Sequence, residues 1–141
     1  MPQRLQTVIS GSYGKHFAQM LAIKRFLEGH NTVVQSPAGS SIVAGTDEFI
    51  LLDEDPVTDP RLLQDSVFAK IRMSSFLTLA NVDGYLGNAA ILEVGYAAAM
   101  GIKVLSVAPV EDANVAVYVQ PIESVFPTWV PDLLRFDPVS A

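Results

Sequence analysis

The chain contains no cysteine, two histidines and few charged residues, which make up 17% of its 141 residues. The absence of cysteine excludes disulfides, thiol chemistry and cysteine-ligated zinc sites. His16 and His30 are too few and too far apart in sequence to indicate a metal centre, so we expect no metal and no cofactor. We interpret both histidines as surface or capping residues.

Basic residues and long apolar runs are also scarce. The nine lysines and arginines are scattered and the net charge is −6, so the basic stripe of a nucleic-acid-binding surface is missing. Polar residues interrupt every apolar run before it could cross a membrane, and Met1–Gln6 lacks the apolar core of a signal peptide. We therefore expect a cytoplasmic protein that binds neither nucleic acid nor a membrane.

Half of the residues are hydrophobic, and they form short apolar runs that alternate with helical periods. The apolar runs predict strands at Thr7–Ser10, Thr32–Gln35, Phe76–Ala80 and Lys103–Val107. Phe49–Leu52 is either a further strand or a loop that packs inward, and the Gly/Ser-rich residues 38–46 predict a loop. Helices are predicted between Gly14 and Gly29, from Asp59 to about Met73, and after residue 88. This order predicts an α/β fold with a doubly wound, mainly parallel five-stranded sheet flanked by helices, a Rossmann-like architecture.

The last part of the chain has a different composition, with four prolines after Pro109 among apolar residues. We expect an α/β domain over residues 1–110 and an irregular C-terminal tail over 111–141, which packs on its own domain or on a partner subunit. Exposed apolar residues of this kind are a liability. Phe126, Trp129, Leu133, Phe136 and the segment Tyr96–Met100 therefore predict a homo-oligomer.

Glu93 is the most informative residue, because it is the one charged side chain in a helix of small and apolar residues. Positions 89, 92, 93, 96, 97 and 100 share one side of that helix, and all but Glu93 are apolar or aromatic. A carboxylate in such surroundings is a candidate for a functional site. The alternative is that Glu93 points into solvent or bridges to Lys103 or Arg72.

Two glycine-containing loops precede predicted helices. The turn Gly11–Gly14 follows the first strand and matches neither a Walker loop nor a dinucleotide fingerprint, so a tight strand–helix turn is its simplest interpretation. The loop Asp83–Asn88 offers two glycines and Asn88 as a helix cap. Because open α/β sheets bind ligands beyond the carboxyl ends of their strands, we expect a pocket between these two loops.

Three segments together resemble the nucleoside 2-deoxyribosyltransferase-like superfamily, which includes deoxyribosyltransferases and nucleoside 5′-monophosphate N-glycosidases. They are Ile9–Tyr13, Val34–Pro37 and Asp83–Ala97, the last of which contains the motif Glu93-Val94-Gly95-Tyr96-Ala97. The resemblance covers roughly residues 7–107 and implies an α/β fold with active sites near subunit interfaces.

The resemblance implies cleavage or transfer at the N-glycosidic bond of a nucleoside or nucleotide. Glu93 would attack the anomeric carbon, a second acid would protonate the leaving base, and water or another base would resolve the glycosyl-enzyme. The residues implied in substrate binding are Gly11, Ser12 and Tyr13 for the sugar or base, Gly87, Asn88 and Ala89 for a 5′-hydroxyl or 5′-phosphate, and Asp83, Gly84 and Tyr85 along the second wall.

The sequence departs from the family pattern at the second acid. Val67 and Ser75 stand where an acid or histidine is expected, so Asp65 and Asp83 are the candidate proton donors. Ala89 replaces a serine that phosphate-binding members often carry. The alternative function is a non-catalytic nucleotide-binding or sensing module on the same fold.

Overall fold

The computed structural model describes residues 4–37, 42–45, 50–52 and 59–135, with backbone alone for the two short middle ranges. The strands are β1 (Leu5–Gly11), β2 (Thr32–Ser36), β3 (Ile42–Gly45), β4 (Ile50–Leu52), β5 (Phe76–Ala80), β6 (Lys103–Ser106) and β7 (Val119–Pro121). The helices are α1 (Tyr13–Glu28), α2 (Pro60–Arg72), α3 (Asn88–Ala99) and α4 (Ala113–Ala116), with 3₁₀ turns at Val82–Gly84, Ile122–Ser124 and Pro131–Arg135.

Local sequence signals explain where α1 and α2 begin. The Ser12 side chain accepts a hydrogen bond from the backbone N–H of Lys15, and the Asp59 carboxylate accepts one from Leu62. Both interactions satisfy donors that a helix start leaves unpaired. Pro60 follows Asp59 in the first turn of α2, where a missing N–H costs nothing.

Five strands form one parallel sheet in the order β2-β1-β5-β6-β7, with helices on both sides. The predicted α/β fold with a doubly wound five-stranded sheet is therefore confirmed, and the sheet is parallel throughout. Thr7–Gly11 of β1 lie beside Phe76–Ala80 of β5. The chain leaves these two strands in opposite directions across the sheet, so their carboxyl ends form the topological switch point, where open α/β folds commonly bind ligands.

The fifth strand of this sheet is not the predicted one. Ile50–Leu52 pairs with Ile42–Gly45 in a separate antiparallel ribbon, so the loop predicted over 38–46 is wrong for residues 42–45. Val119–Pro121, from the segment predicted to be irregular, pairs with β6 at the edge of the main sheet. Three residues ending in proline give little strand signal, and proline is tolerated at a sheet edge.

The sheet has two different faces. On the α1 face, Met20, Ile23 and Leu27 pack with strand residues and with the tail residues Phe126 and Trp129. On the α3 face, the sheet packs against α2, α3 and α4. The strand residues that contact the α3 face are Val8, Leu77, Leu79 and Val104. Phe126 and Trp129 are thus buried within their own chain, which removes them as a reason to expect an oligomer.

The buried side of α3 differs from the predicted one. Ala90, Glu93, Val94 and Ala97 are buried, whereas Leu92 is 54% exposed. The uniform apolar character of α3 explains the error, because a helix without charged positions gives no contrast between its two sides.

Candidate active site around Glu93

Glu93 lies in the middle of α3 and is only 8% exposed. It belongs to the side of α3 that faces the sheet, between Ala90 and Ala97. Glu93 forms neither of the ion pairs suggested by the sequence, with Lys103 or with Arg72, among the described residues. The interpretation of Glu93 as a solvated surface carboxylate is therefore wrong.

Gln64 of α2 is the hydrogen-bond partner of Glu93. Its side-chain amide donates to Oε2 of Glu93 over 3.0 Å. Sequence reasoning missed Gln64, although a signal was present. Positions 64, 67, 68 and 71 share one side of α2, and Val67, Phe68 and Ile71 on that side pack against the α3-face cluster. A polar residue among apolar ones at helical spacing marks a buried polar contact.

Ser10 brings the end of β1 to the same carboxyl group. Alternation along β1 directs Ser10 and Val8 to the α3 face, while Ile9 packs on the α1 face. The Ser10 hydroxyl faces Glu93, but its Oγ makes no hydrogen bond of standard geometry with the described residues. A buried hydroxyl without a bond of this kind is available to a ligand.

The surroundings raise the pKa of Glu93 above the usual range of a glutamic acid. Burial is the dominant cause, because it penalises the charged form, while Gln64 and Ser10 pull the pKa of Glu93 down by a smaller amount. Both neighbours can donate to a carboxylate. The site therefore disfavours the ionised form of Glu93 relative to a solvated glutamate, and the ionised form accepts hydrogen bonds from these neighbours.

The loop after β5 forms the opposite wall of the switch point. Asp83 and Gly84 have positive φ angles of 55° and 80°, which gives a tight reversal before Tyr85. The ring of Tyr85 meets the edge of the His16 ring, with centroids 6.0 Å apart. The Lys15 ammonium lies over the Tyr85 ring, 4.4 Å from its centroid. The starts of α1 and of the α3 loop are thus in contact.

Asp83 and Gly84 also line a cavity of about 590 Å³ on the α1 face. Gln19 of α1, Val107 after β6 and Leu134 of the tail close its other sides. Glu93 is not among the lining residues. The structure therefore places Asp83 beside a second space at the same edge of the sheet, on the far side from Gln64.

The first glycine turn has a structural explanation. A Cβ on Gly11 would lie 3.0 Å from the Ala80 Cβ, so glycine lets β1 and β5 approach closely. Ser12 caps α1. Tyr13 is the first helical residue rather than part of a loop, and its hydroxyl lies 3.1 Å from that of Ser36.

The start of α3 differs slightly from the prediction. Gly87 is the capping residue, and no side chain caps this helix. Asn88 was predicted as the cap but is the first helical residue, exposed like Ala89. A Cβ at Gly87 would lie 3.4 Å from the ring of Tyr85, which is close to an ordinary contact, so the space at this position does not by itself require glycine.

Asp65 points away from this centre. Its carboxylate lies 3.8 Å from Nε of Arg61, and the Asp65 side chain is 57% exposed. An exposed ion pair one turn apart on a helix is a common surface feature. The neighbouring residue on α2, Gln64, is the one that contacts Glu93.

Within the described residues, no group of three or more His, Asp or Glu side chains could hold a metal ion. None of the described helices has the length and apolar character needed to cross a membrane. No protein-family model, curated protein or solved structure matches this chain. A functional proposal therefore depends on the motif resemblance and on the geometry around Glu93.

Proposed function

We propose that the chain cleaves or transfers the N-glycosidic bond of a nucleoside or nucleotide, with Glu93 as the nucleophile. The observation that supports this most is the burial of the Glu93 carboxyl group at the β1 and β5 switch point, where it accepts from Gln64. Doubly wound sheets bind their ligands at this position. A buried carboxylate is a competent nucleophile for a glycosyl carbon.

The reaction has two steps. In the first, an Oε of Glu93 forms a bond to the anomeric carbon while the carbon–nitrogen bond to the base breaks and its electron pair goes to the base. In the second, water or another base attacks the anomeric carbon and releases the Glu93 carboxylate. Because Gln64 occupies Oε2, Oε1 is the oxygen that we assign to the attack.

The exposure of Asp65 and its pairing with Arg61 support a second candidate, a module that binds a nucleotide without cleaving it. In that case Glu93 would accept hydrogen bonds from a sugar hydroxyl. Such a protein would gain thermal stability with a nucleotide and would release no free base.

A base-release assay separates the two candidates. The protein is incubated with ribonucleosides, 2′-deoxynucleosides and their 5′-monophosphates, and free base is detected chromatographically. The proposal expects base release by the wild type that Glu93→Gln abolishes while its circular dichroism spectrum stays unchanged. Stabilisation by a nucleotide without any released base would select the binding module instead.

A further inference from the structure

Three buried side-chain atoms in the described part of the chain make no hydrogen bond of standard geometry: Ser10 Oγ, which faces Glu93, His16 Nδ1 and Trp129 Nε1. Buried polar atoms are nearly always paired, so each exception calls for an explanation. Two of the three flank the carboxyl end of β1, on either side of Gly11. Trp129 lies elsewhere, in the aromatic packing of the α1 face.

His16 is set apart from the rest of α1 by its backbone. Its φ of −133° and ψ of 30° lie outside the helical range, and α1 is kinked there. The ring instead contacts Tyr85, with centroids 6.0 Å apart, and so joins the first turn of α1 to the loop before α3.

His30 shows what a structural histidine looks like in this chain. Its Nδ1 lies 2.7 Å from the Phe26 carbonyl oxygen and its Nε2 lies 3.0 Å from Oγ1 of Thr128. The ring also stacks on Phe26. Both nitrogens of His30 are thus engaged, whereas Nδ1 of His16 is buried and unengaged.

His16 and Glu93 both belong to elements that meet the carboxyl end of β1, on opposite faces of the sheet. His16 is in the first turn after β1 on the α1 face, and Glu93 lies beside Ser10 of β1 on the α3 face. Tyr85, which His16 contacts, belongs to the loop that leads into α3. A nucleoside seated at the switch point with its anomeric carbon at Glu93 would direct its base toward the α1 side.

We propose that His16 is the catalytic acid that protonates the leaving base, an assignment that rests on the proposed function. As the carbon–nitrogen bond breaks, a ring N–H of protonated His16 gives its proton to a nitrogen of the base. The imidazole is left neutral. In the second step it takes a proton from the attacking water, whose oxygen bonds to the anomeric carbon as the Glu93 ester is released. Histidine is the commonest residue in this role.

The two acids suggested by the sequence fit this task less well. Asp65 is exposed and ion-paired with Arg61. Asp83 is exposed. His16 combines a buried, unpaired nitrogen with a position in the first turn after β1, in contact with Tyr85.

The first test compares leaving groups. A natural nucleoside is paired with an analogue whose base departs without protonation: the N7-methylated form for a purine, the 5-nitro form for a pyrimidine. His16→Asn keeps an amide N–H near the Nδ1 position but releases no proton. We expect this variant to lose roughly 10²–10⁴-fold in kcat/KM on the natural substrate, the usual contribution of a general acid, and less than about tenfold on the activated one. His30→Asn is the matched control and should leave both rates near wild type.

The second test detects the contact between His16 and a bound nucleoside by NMR. With two histidines in the sequence, the ring signals of His16 in an NMR spectrum are identified by their loss in His16→Asn. Adding a nucleoside to Glu93→Gln should move the His16 signals and leave those of His30 in place. Adding the free sugar alone should move the His16 signals much less.

The outcomes are distinguishable. Equal losses on both substrates in His16→Asn, or a selective loss in Asp65→Asn or Asp83→Asn instead, would overturn the assignment and leave Glu93 as nucleophile intact. Bound nucleoside that leaves the His16 signals unmoved would also overturn it. If the wild type releases no base from any nucleoside or nucleoside 5′-monophosphate, the proposed function fails and the acid role of His16 fails with it.

Discussion

The two faces of the sheet are packed by different chemistry. The α1 face is closed by aromatic rings, with Phe26 meeting Trp129 edge-on at 5.1 Å and Phe126 at 6.0 Å. The α3 face is packed largely by alanine, valine and leucine, and it holds the buried Glu93. Aromatic packing of the first kind gives much buried area and stability. The small side chains on the α3 face let α3 approach the strands closely, so that the Glu93 carboxyl group reaches the carboxyl end of β1.

The largest expected difference between the faces is in activity. Glu93→Gln should lower base release by roughly 10⁴-fold or more, because removal of a nucleophile takes away the covalent route. The same change at Glu28, the exposed last residue of α1, is the matched control and should leave the rate near that of the wild type. A Glu93→Gln variant with wild-type activity would contradict the assignment.

The next largest difference is in stability. Trp129 is 2% exposed in the aromatic cluster, so Trp129→Ala should lower the free energy of unfolding by about 3–5 kcal/mol. Leu62→Ala at an exposed position of α2 is the matched control and should change that free energy by about 0.5 kcal/mol or less. Urea denaturation measures both variants. Similar losses in the two variants would contradict the stabilising role of the buried Trp129.

The variant Gln64→Leu tests how a donor on the α3 face affects the pKa of Glu93. Loss of the Gln64 donor removes an interaction that favours the ionised Glu93, so the pKa of Glu93 should rise further. The nucleophile must be ionised, so activity falls as pH drops through this pKa, and the acid limb of the pH–rate profile should move to higher pH. A loss of about tenfold at neutral pH corresponds to one hydrogen bond to a charged group. Gln19→Leu on the α1 face is the matched control, and an unmoved acid limb in Gln64→Leu would contradict the role.

Glu93→Gln should also make the protein more stable at neutral pH. A carboxyl group with a raised pKa in the folded state gives its full stability below the usual glutamate pKa and loses it as pH rises through the raised value. The advantage of Glu93→Gln should therefore be near zero at low pH and grow with pH, by about 1.4 kcal/mol for each unit by which the pKa is raised. Unfolding curves across this range provide the measurement. A constant difference at all pH values would contradict a raised pKa.

The smallest expected effect concerns association. Phe126 and Trp129 are buried in their own chain, and Phe136 lies outside the described residues. The predicted homo-oligomer therefore depends mainly on the exposed side of α3, where Ile91, Leu92 and Met100 are uncovered. We expect a dimer by light scattering at micromolar concentration and a shift toward monomer in Leu92→Glu. A monomeric wild type at this concentration would contradict the predicted homo-oligomer.

Much of the main sheet could be predicted from its sequence, because β1, β2, β5 and β6 are apolar runs bounded by clear helix signals. β7 could not, since a three-residue edge strand ending in Pro121 has almost no local pattern. Its place is decided by its pairing with β6.

Glu93 could be singled out for the candidate site from the sequence, because it is the one charge in an apolar helix. Gln64 gave a weaker signal, as a polar residue among apolar ones on one side of α2. Its contact with Glu93, and that of His16 with Tyr85, are seen only in the fold. Asp65 shows how much one position along α2 matters. Gln64 contacts Glu93, whereas the next residue, Asp65, is exposed and pairs with Arg61.

The most direct measurement is the mass of the peptide that contains Glu93 after the protein has been mixed with a cleavable nucleoside and quenched in acid. The glycosyl-enzyme is an ester of Glu93, and the account predicts a mass increase of one glycosyl unit on that peptide, absent in Glu93→Gln. Released base with no such adduct on Glu93, or an adduct on another residue, would contradict Glu93 as the nucleophile.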